Sequence, residues 1–397
     1  MTLIYLDNNA TTRVDNAVVE AMMPFFSENY GNPSSIYEFS RSASRAVQNA
    51  RGQMKDFFNA EDEKNIIFTS GGSESANLAI RGVLSMNKNK RHIITTKVEH
   101  PCVLNLYKQL EKDGYKVSYI DVKSNGDLDL EQLNDAVNYD TALVSVMFAN
   151  NETGVIFPIQ KIVDLVKTKN PETKIFVDGV QAAGKINIDV QELGVDLLGV
   201  SGHKFHAPKG IGALYVNPKT LITPLIIGGH QERGKRAGTE NVPYIVGMGL
   251  AAGLAKDGLT YEATEVKRLR DKLESSLLKN IYNARLNTGI QNRVPNTTNI
   301  GFEYIEGELI LLHLSDVGIC ASSGSACTSG ALEPSHVLRA LNVPFTAIHG
   351  SIRFSLSKYT TEKEIDYVIE KMPPIIDKLI GISPYQDELE LIRNSRI

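Results

Sequence analysis

Between Asn65 and Val216 the sequence repeats one unit: an apolar run, a glycine or polar turn, then a stretch whose apolar residues have helical spacing. The runs are Ile66 to Thr69, His92 to Thr95, Val117 to Ile120, Ala142 to Met147, Ile175 to Asp178, Leu197 to Val200 and Ala213 to Val216. The longer ones are almost continuously apolar, as strands are when both faces of their sheet are covered. Helices such as Ser73 to Ser85 and Pro158 to Lys169 separate most of them, and a helix between successive strands gives parallel pairing. The repeat predicts an α/β fold with a mainly parallel seven-stranded sheet covered by helices. Ligands in such sheets bind outside the carboxyl ends of the strands, where the polar motifs of this chain sit.

At 397 residues the chain exceeds one ordinary core, and a second organisation begins near Tyr261. A charged helical stretch, Tyr261 to Lys279, leads into short strands, Thr298 to Phe302 and Ser351 to Leu356, and helices, Glu308 to Ser315 and Thr361 to Met372. This predicts a smaller α+β C-terminal domain. The expected division is 15–260 for the large domain, with 1–14 and 261–397 forming the small one. The tail from Ser383 to Ile397 is polar, with at most one or two helical turns expected.

The balance of 42 Lys and Arg against 46 Asp and Glu offers neither a basic surface for nucleic acid nor a polybasic run for a membrane. No segment approaches the ~18 apolar residues of a spanning helix, and the N-terminus lacks a signal-peptide pattern. Three cysteines, Cys102, Cys320 and Cys327, give neither a disulfide framework nor a CxxC pair, which fits a reducing, cytoplasmic setting. No metal site is expected, since His203 and His206 have no third ligand at suitable spacing.

The chemistry gathers at the turns. Lys204, in Ser201-Gly202-His203-Lys204, stands among small and hydroxyl residues directly after an apolar strand. An amine held and partly desolvated there loses charge readily and can form a Schiff base with an aldehyde such as pyridoxal phosphate; most lysines near a glycine simply face solvent. Gly71-Gly72-Ser73-Glu74-Ser75 opens a helix after a strand, a place for a phosphate, although a helix start capped by Ser73 accounts for it equally. Asp178 ends a buried strand, suited either to a protonated pyridine nitrogen or to capping the next turn. His100 precedes Pro101 at a helix start, and Asn150-Asn151-Glu152-Thr153-Gly154 reads as a turn after a strand. Arg353 shares a strand face with Ser351 and Ser355, placed to grip a carboxylate or to form a salt bridge. Cys327, in Ala321-Ser322-Ser323-Gly324-Ser325-Ala326-Cys327, has no bulky neighbour and is expected to be an exposed, mobile nucleophile, whereas Cys320 and Cys102 suit structural roles.

Seven motifs in this order, from Tyr5-Leu6-Asp7-Asn8-Asn9-Ala10-Thr11-Thr12 through Gly31-Asn32-Pro33-Ser34-Ser35, Glu99-His100-Pro101, Asn150 to Gly154, Ser201 to Lys204 and Ser323 to Cys327 to Ser351-Ile352-Arg353-Phe354-Ser355, cover nearly the whole chain. Together they resemble the cysteine desulfurases of the NifS/IscS type, fold-type I pyridoxal phosphate enzymes of the aminotransferase class V family. The resemblance implies that Lys204 carries the cofactor, Asp178 pairs with its pyridine nitrogen, Gln181 bonds its phenolic oxygen and His100 stacks on its ring. It further implies that Gly72, Ser73, Ser201 and His203 hold the phosphate, with Thr239 from the second subunit of a homodimer, and that Asn151 and Arg353 hold substrate. The activity implied is conversion of L-cysteine to L-alanine, the sulfur passing as a persulfide on Cys327 to an iron-sulfur scaffold or another acceptor. Selenocysteine lyases and aminotransferases share the fold; a cysteine in a loop of small residues argues against an aminotransferase. Ser73 departs from the family pattern, where a threonine is frequent, but keeps the hydroxyl.

Overall fold

The structure, a computed structural model, describes residues 3–323 and 334–395. The seven expected strands form one sheet: β1 (Ile66–Thr69), β2 (His92–Thr96), β3 (Lys116–Ile120), β4 (Thr141–Met147), β5 (Lys174–Asp178), β6 (Leu197–Ser201) and β7 (Gly212–Val216), in the order β1-β7-β6-β5-β4-β2-β3. The β5 pairings with β4 and β6 and the β2 pairings with β3 and β4 are parallel, while β7 lies antiparallel between β1 and β6. The reason is the length of the link: a parallel return needs a crossover of about a dozen residues or more, and the Gly202–Lys204 turn region between β6 and β7 carries no helix long enough. That short link carries Lys204.

Successive side chains point to opposite faces of a strand, so each strand feeds two cores. Ile175 and Val177 pack with the long helices Arg41–Phe58 and Val242–Asp257, while Phe176 faces the helices Gly72–Met86 and Pro101–Lys112. With both faces covered, all seven residues of β4 are buried. Because β1 runs antiparallel to β7, and β7 to β6, the carboxyl end of β1 lies on the same edge as those of β4, β5 and β6.

A second core lies under a four-stranded antiparallel sheet of Ser322–Ser323, Ser351–Ser355, Thr297–Phe302 and Ala284–Leu286, backed by helices Lys267–Asn280, Gly307–Asp316 and Glu362–Ile382. Ile4–Tyr5 pairs with Ile319–Cys320, and Ile4 and Leu6 are buried in this core. Val337, Leu338, Leu341 and Val343, later in the chain, are instead buried with the central sheet.

Two elements differ from the sequence reading. The tail forms a helix over Gln386–Ser395, longer than one or two turns, because Leu389 is buried and gives the polar stretch one anchor. The stretch read as a single helix from Tyr261 contains a π turn at Glu262–Val266, which joins Leu259–Tyr261 to Lys267–Asn280. Among the described residues no helix is long and apolar enough to cross a membrane.

Candidate active site

At the carboxyl edge of the sheet a cavity of about 470 Å3 gathers residues from separate parts of the chain. Gly72 and Ser73 come from the helix start after β1, His100 from the turn after β2, Asn151 from beyond β4, Asp178 and Gln181 from β5 and its turn, and Ser201, His203 and Lys204 from β6 and its link. Arg353 reaches in from the small sheet. Thr239 is elsewhere, in a neighbouring cavity with Ser70 and Arg236, and Cys327 lies outside the described residues.

The helix Gly72–Met86 begins at an N-cap glycine, Gly71, and not at Ser73. Gly71 has φ +155° and ψ −176°, a conformation essentially reserved for glycine, and a Cβ on Gly72 would come within 2.9 Å of Val180. The first turn of any helix presents N–H groups without intrahelical acceptors, and here Gly72 and Ser73 present them to the cavity. Ser73, freed from capping, has its hydroxyl beside the Cys102 thiol. Burial pushes that thiol well above its ordinary value, so Cys102 is a protonated wall residue.

Asp178 is buried, and among the described residues its carboxylate accepts one hydrogen bond, from the Val180 N–H at 3.0 Å. Burial raises its pKa, opposed by His100 and Lys204 nearby. A buried carboxylate whose one hydrogen bond is to a neutral donor is stabilised further by a cationic partner in contact with it. His100 caps helix Pro101–Lys112, its Nδ1 accepting from Cys102 N–H at 3.2 Å, and burial lowers its pKa. Burial, with Lys204 and Lys209, holds His203 down at about 4, so its ring is neutral; its Nδ1 is 3.1 Å from Thr11 Oγ1, leaving Nε2 for a ligand.

Lys204 Nζ donates to the carbonyls of Asn9 at 2.6 Å and Ala10 at 2.8 Å. The N-terminal strap is tied down further where Thr12 N–H donates to His203 O at 2.9 Å. Arg353 is buried; it forms a 2.6 Å ion pair with Asp7 and donates to Asn151 O at 3.0 Å, while its Nε has no hydrogen-bond partner among the described residues. Both readings of Arg353 therefore coexist: it is salt-bridged, and it lines the cavity.

Sequence reasoning did not assign Asp7, Asn9, Glu152 or Ser335. Asn9 links the parts: its N–H donates to Ser355 Oγ at 2.9 Å, its side chain donates to Thr297 Oγ1 at 2.8 Å, and its carbonyl accepts from Gln181 and Lys204. Glu152 is buried and accepts from Ser335 Oγ at 2.6 Å, and Ser335 in turn caps helix His336–Ala340. For Asp7, Asn9 and Glu152 the signal was the motif content, Asp7 to Asn9 and Asn150 to Gly154, which reads locally as turns; Ser335 lies in no such motif.

Burial raises the Glu152 carboxyl from its ordinary 4.5 to about 7. The folded protein therefore binds this proton more tightly than the unfolded chain, and the stability it confers is lost as pH rises from about 4.5 through about 7. Glu152→Gln is expected to remove that decline, so thermal melting of the two proteins across this range should diverge progressively and run parallel above it.

A model of the aminotransferase class-V family matches residues 4–368, and the chain belongs to that family. Among similar proteins, a cysteine desulfurase of Nostoc sp. is 56% identical over 389 residues, covering 98% of this chain and 96% of that one. The cysteine desulfurase NifS of Azotobacter vinelandii is 51% identical over 382 residues, covering 96% and 94%. A solved structure described as a NifS-like protein superposes with a TM-score of 0.90 at 41% identity, covering 95% of this chain and all of that one. Enzymes of this family use pyridoxal phosphate, and the residues present fit it: a backbone cradle that a Cβ would fill, a buried carboxylate with one neutral hydrogen-bond donor, and a half-buried lysine face one cavity.

Proposed function

We propose that this chain is a cysteine desulfurase: it takes sulfur from L-cysteine, releases L-alanine and passes the sulfur on from Cys327. Asp178 and Lys204 on one cavity, with the glycine cradle at Gly71 and Gly72 between β1 and β6, carry the reading. Gly72, Ser73, Ser201 and His203 would hold the phosphate of pyridoxal phosphate, Asp178 its pyridine nitrogen, Gln181 its phenolic oxygen, and His100 its ring face. Bound there, the cofactor supplies an electron sink that lets bonds at the substrate Cα and Cβ break heterolytically.

The roles of the chain's own residues follow. Arg353, with Asn151, holds the substrate carboxylate; its Nε has no hydrogen-bond partner among the described residues and is a donor for that purpose. The Lys204 amine moves the Cα proton. The Cys327 thiolate attacks the substrate sulfur: an S–S bond forms, the C–S bond breaks with its electron pair going to carbon, and that carbon takes a proton to give alanine. In the proposed division, 15–260 binds the cofactor and the small domain of 1–14 and 261–397 brings Cys327 to it. Cytoplasmic reducing conditions would keep this thiol competent.

A homodimer is part of the proposal, with Thr239 completing the phosphate site of the partner. Ile36 is 98% and Ile227 86% exposed, and their loops meet around one cavity lined by Pro33, Ser34 and His230. Apolar side chains so exposed, beside the cavity that holds Thr239, suit burial against a second copy. The sulfur acceptor is proposed to be an iron-sulfur scaffold or another sulfur carrier.

The test is the visible spectrum of the purified protein, followed by L-cysteine with a reductant while sulfide and alanine are quantified. Yellow protein yielding equimolar sulfide and alanine supports the proposal; yellow protein yielding neither overturns it. Cys327→Ala is expected to keep the cofactor colour and release no sulfide. Full sulfide release by that variant would assign the nucleophile elsewhere.

A further inference from the structure

Behind Lys204, on the side away from the described site, lies a second cavity of about 210 Å3 whose polar wall includes Lys185, Glu262, Asn296 and His206. Lys185 is 6% exposed, and among the described residues its amine has no carboxylate partner within ion-pair distance. Its Nζ instead donates to two atoms of one residue, Gln181 Oε1 at 2.9 Å and Gln181 O at 3.2 Å. Glu262, also buried and set in the π turn, has Oε2 without a hydrogen-bond partner among the described residues. An amine buried to meet a neutral amide is costly in its charged form, and its placement calls for an explanation.

The explanation lies in the Gln181 carboxamide. Lysine offers donors, so the amide atom facing Lys185 is the oxygen, and the NH2 group is at the other end. One hydrogen of that NH2 is taken by Asn9 O at 3.0 Å. The second remains for the cavity that Gln181 lines. A flipped amide would set NH2 against the Lys185 donors and oxygen against the Asn9 carbonyl, two repulsive contacts in place of two favourable ones. Asn9 O cannot relieve this, because it also accepts from Lys204 at 2.6 Å.

We propose that Lys185 is a positioning residue: it holds the Gln181 carboxamide in the one orientation that donates a hydrogen bond into the active site, toward the cofactor's phenolic oxygen. This rests on the reading of Gln181 given above. Burial above all holds the Lys185 amine down at about 7; Lys204 and Arg353 act in the same sense, and Glu262 across the second cavity opposes them. Glu262 is thus the balancing carboxylate, and the two buried groups form one unit with Gln181 at its tip.

The experiment compares the holoenzyme with Gln181→Leu, Lys185→Met and the double variant Lys185→Met/Glu262→Gln, at one pH. The readouts are the visible band of the bound cofactor and its rate of loss on dilution. The double variant leaves no uncompensated buried carboxylate and decides the matter if Lys185→Met fails to fold. The expected result is that Gln181→Leu displaces the band and that both Lys185 variants displace it in the same direction, with cofactor loss about tenfold faster, as for one hydrogen bond to a charged group. If Gln181→Leu displaces the band while the folded Lys185 variants keep the parent spectrum and loss rate, this inference alone is overturned. If Gln181→Leu leaves both readouts unchanged, the assignment of Gln181 falls and the inference with it.

Discussion

Lys204→Ala is expected to purify folded, to lack the visible band of a lysine-bound cofactor, and to release sulfide from L-cysteine at less than about one part in ten thousand of the parent rate. Two losses combine. The amine is the covalent attachment of the cofactor, and it is the base that moves the Cα proton, a role worth about a hundred- to ten-thousand-fold by itself. Folding should be spared, because Lys204 is half-buried at the mouth of two cavities and its hydrogen bonds go to the carbonyls of Asn9 and Ala10. Asn9 O keeps another tie, since it still accepts from Gln181. Circular dichroism, the visible spectrum and sulfide release on the same sample check this, and a yellow, active Lys204→Ala protein would refute the role.

Asp178→Asn is expected to bind pyridoxal phosphate and turn over at about a thousandth of the parent rate. The amide is isosteric and its oxygen still accepts from the Val180 N–H, so the shape of the β5 turn is kept. What disappears is the negative charge that favours a proton on the pyridine nitrogen; removal of one preorganised electrostatic group costs about a hundred- to a thousand-fold. Loss of the buried carboxylate also removes a desolvation cost, so melting of the cofactor-free variant should be at or above that of the parent. Steady-state kinetics should place the effect in kcat, and an unchanged kcat would show that Asp178 only caps its turn.

The central sheet was legible because each strand carries its own signal. A run such as Leu143 to Met147 is apolar but for Ser145, and that pattern survives without knowledge of its neighbours. The antiparallel β7 followed from no periodicity; it is a consequence of the short link after β6, and its partners are set by chain length. Site residues at the carboxyl ends of strands or just beyond them, such as Asp178 and Lys204, were legible for the same reason as the strands. Asn9, Lys185, Glu152 and Ser335 were not, because their roles exist only through contacts distant in sequence: Asn9 with Ser355 and Thr297, and Glu152 with Ser335. Lys185 hydrogen-bonds within one turn, yet its meaning depends on the Asn9 carbonyl at the far end of the same amide. The tail helix was underestimated because its stabilisation comes from burying Leu389, and composition alone shows only a polar segment.

The most direct test of sulfur transfer through this site is a single turnover with sulfur-labelled L-cysteine and no reductant, followed by digestion and location of the label. The label is predicted on the peptide containing Cys327, with alanine formed in equal amount. Label on Cys102, whose thiol burial holds protonated, or on Cys320 would contradict the account, as would alanine formed with no label on the protein.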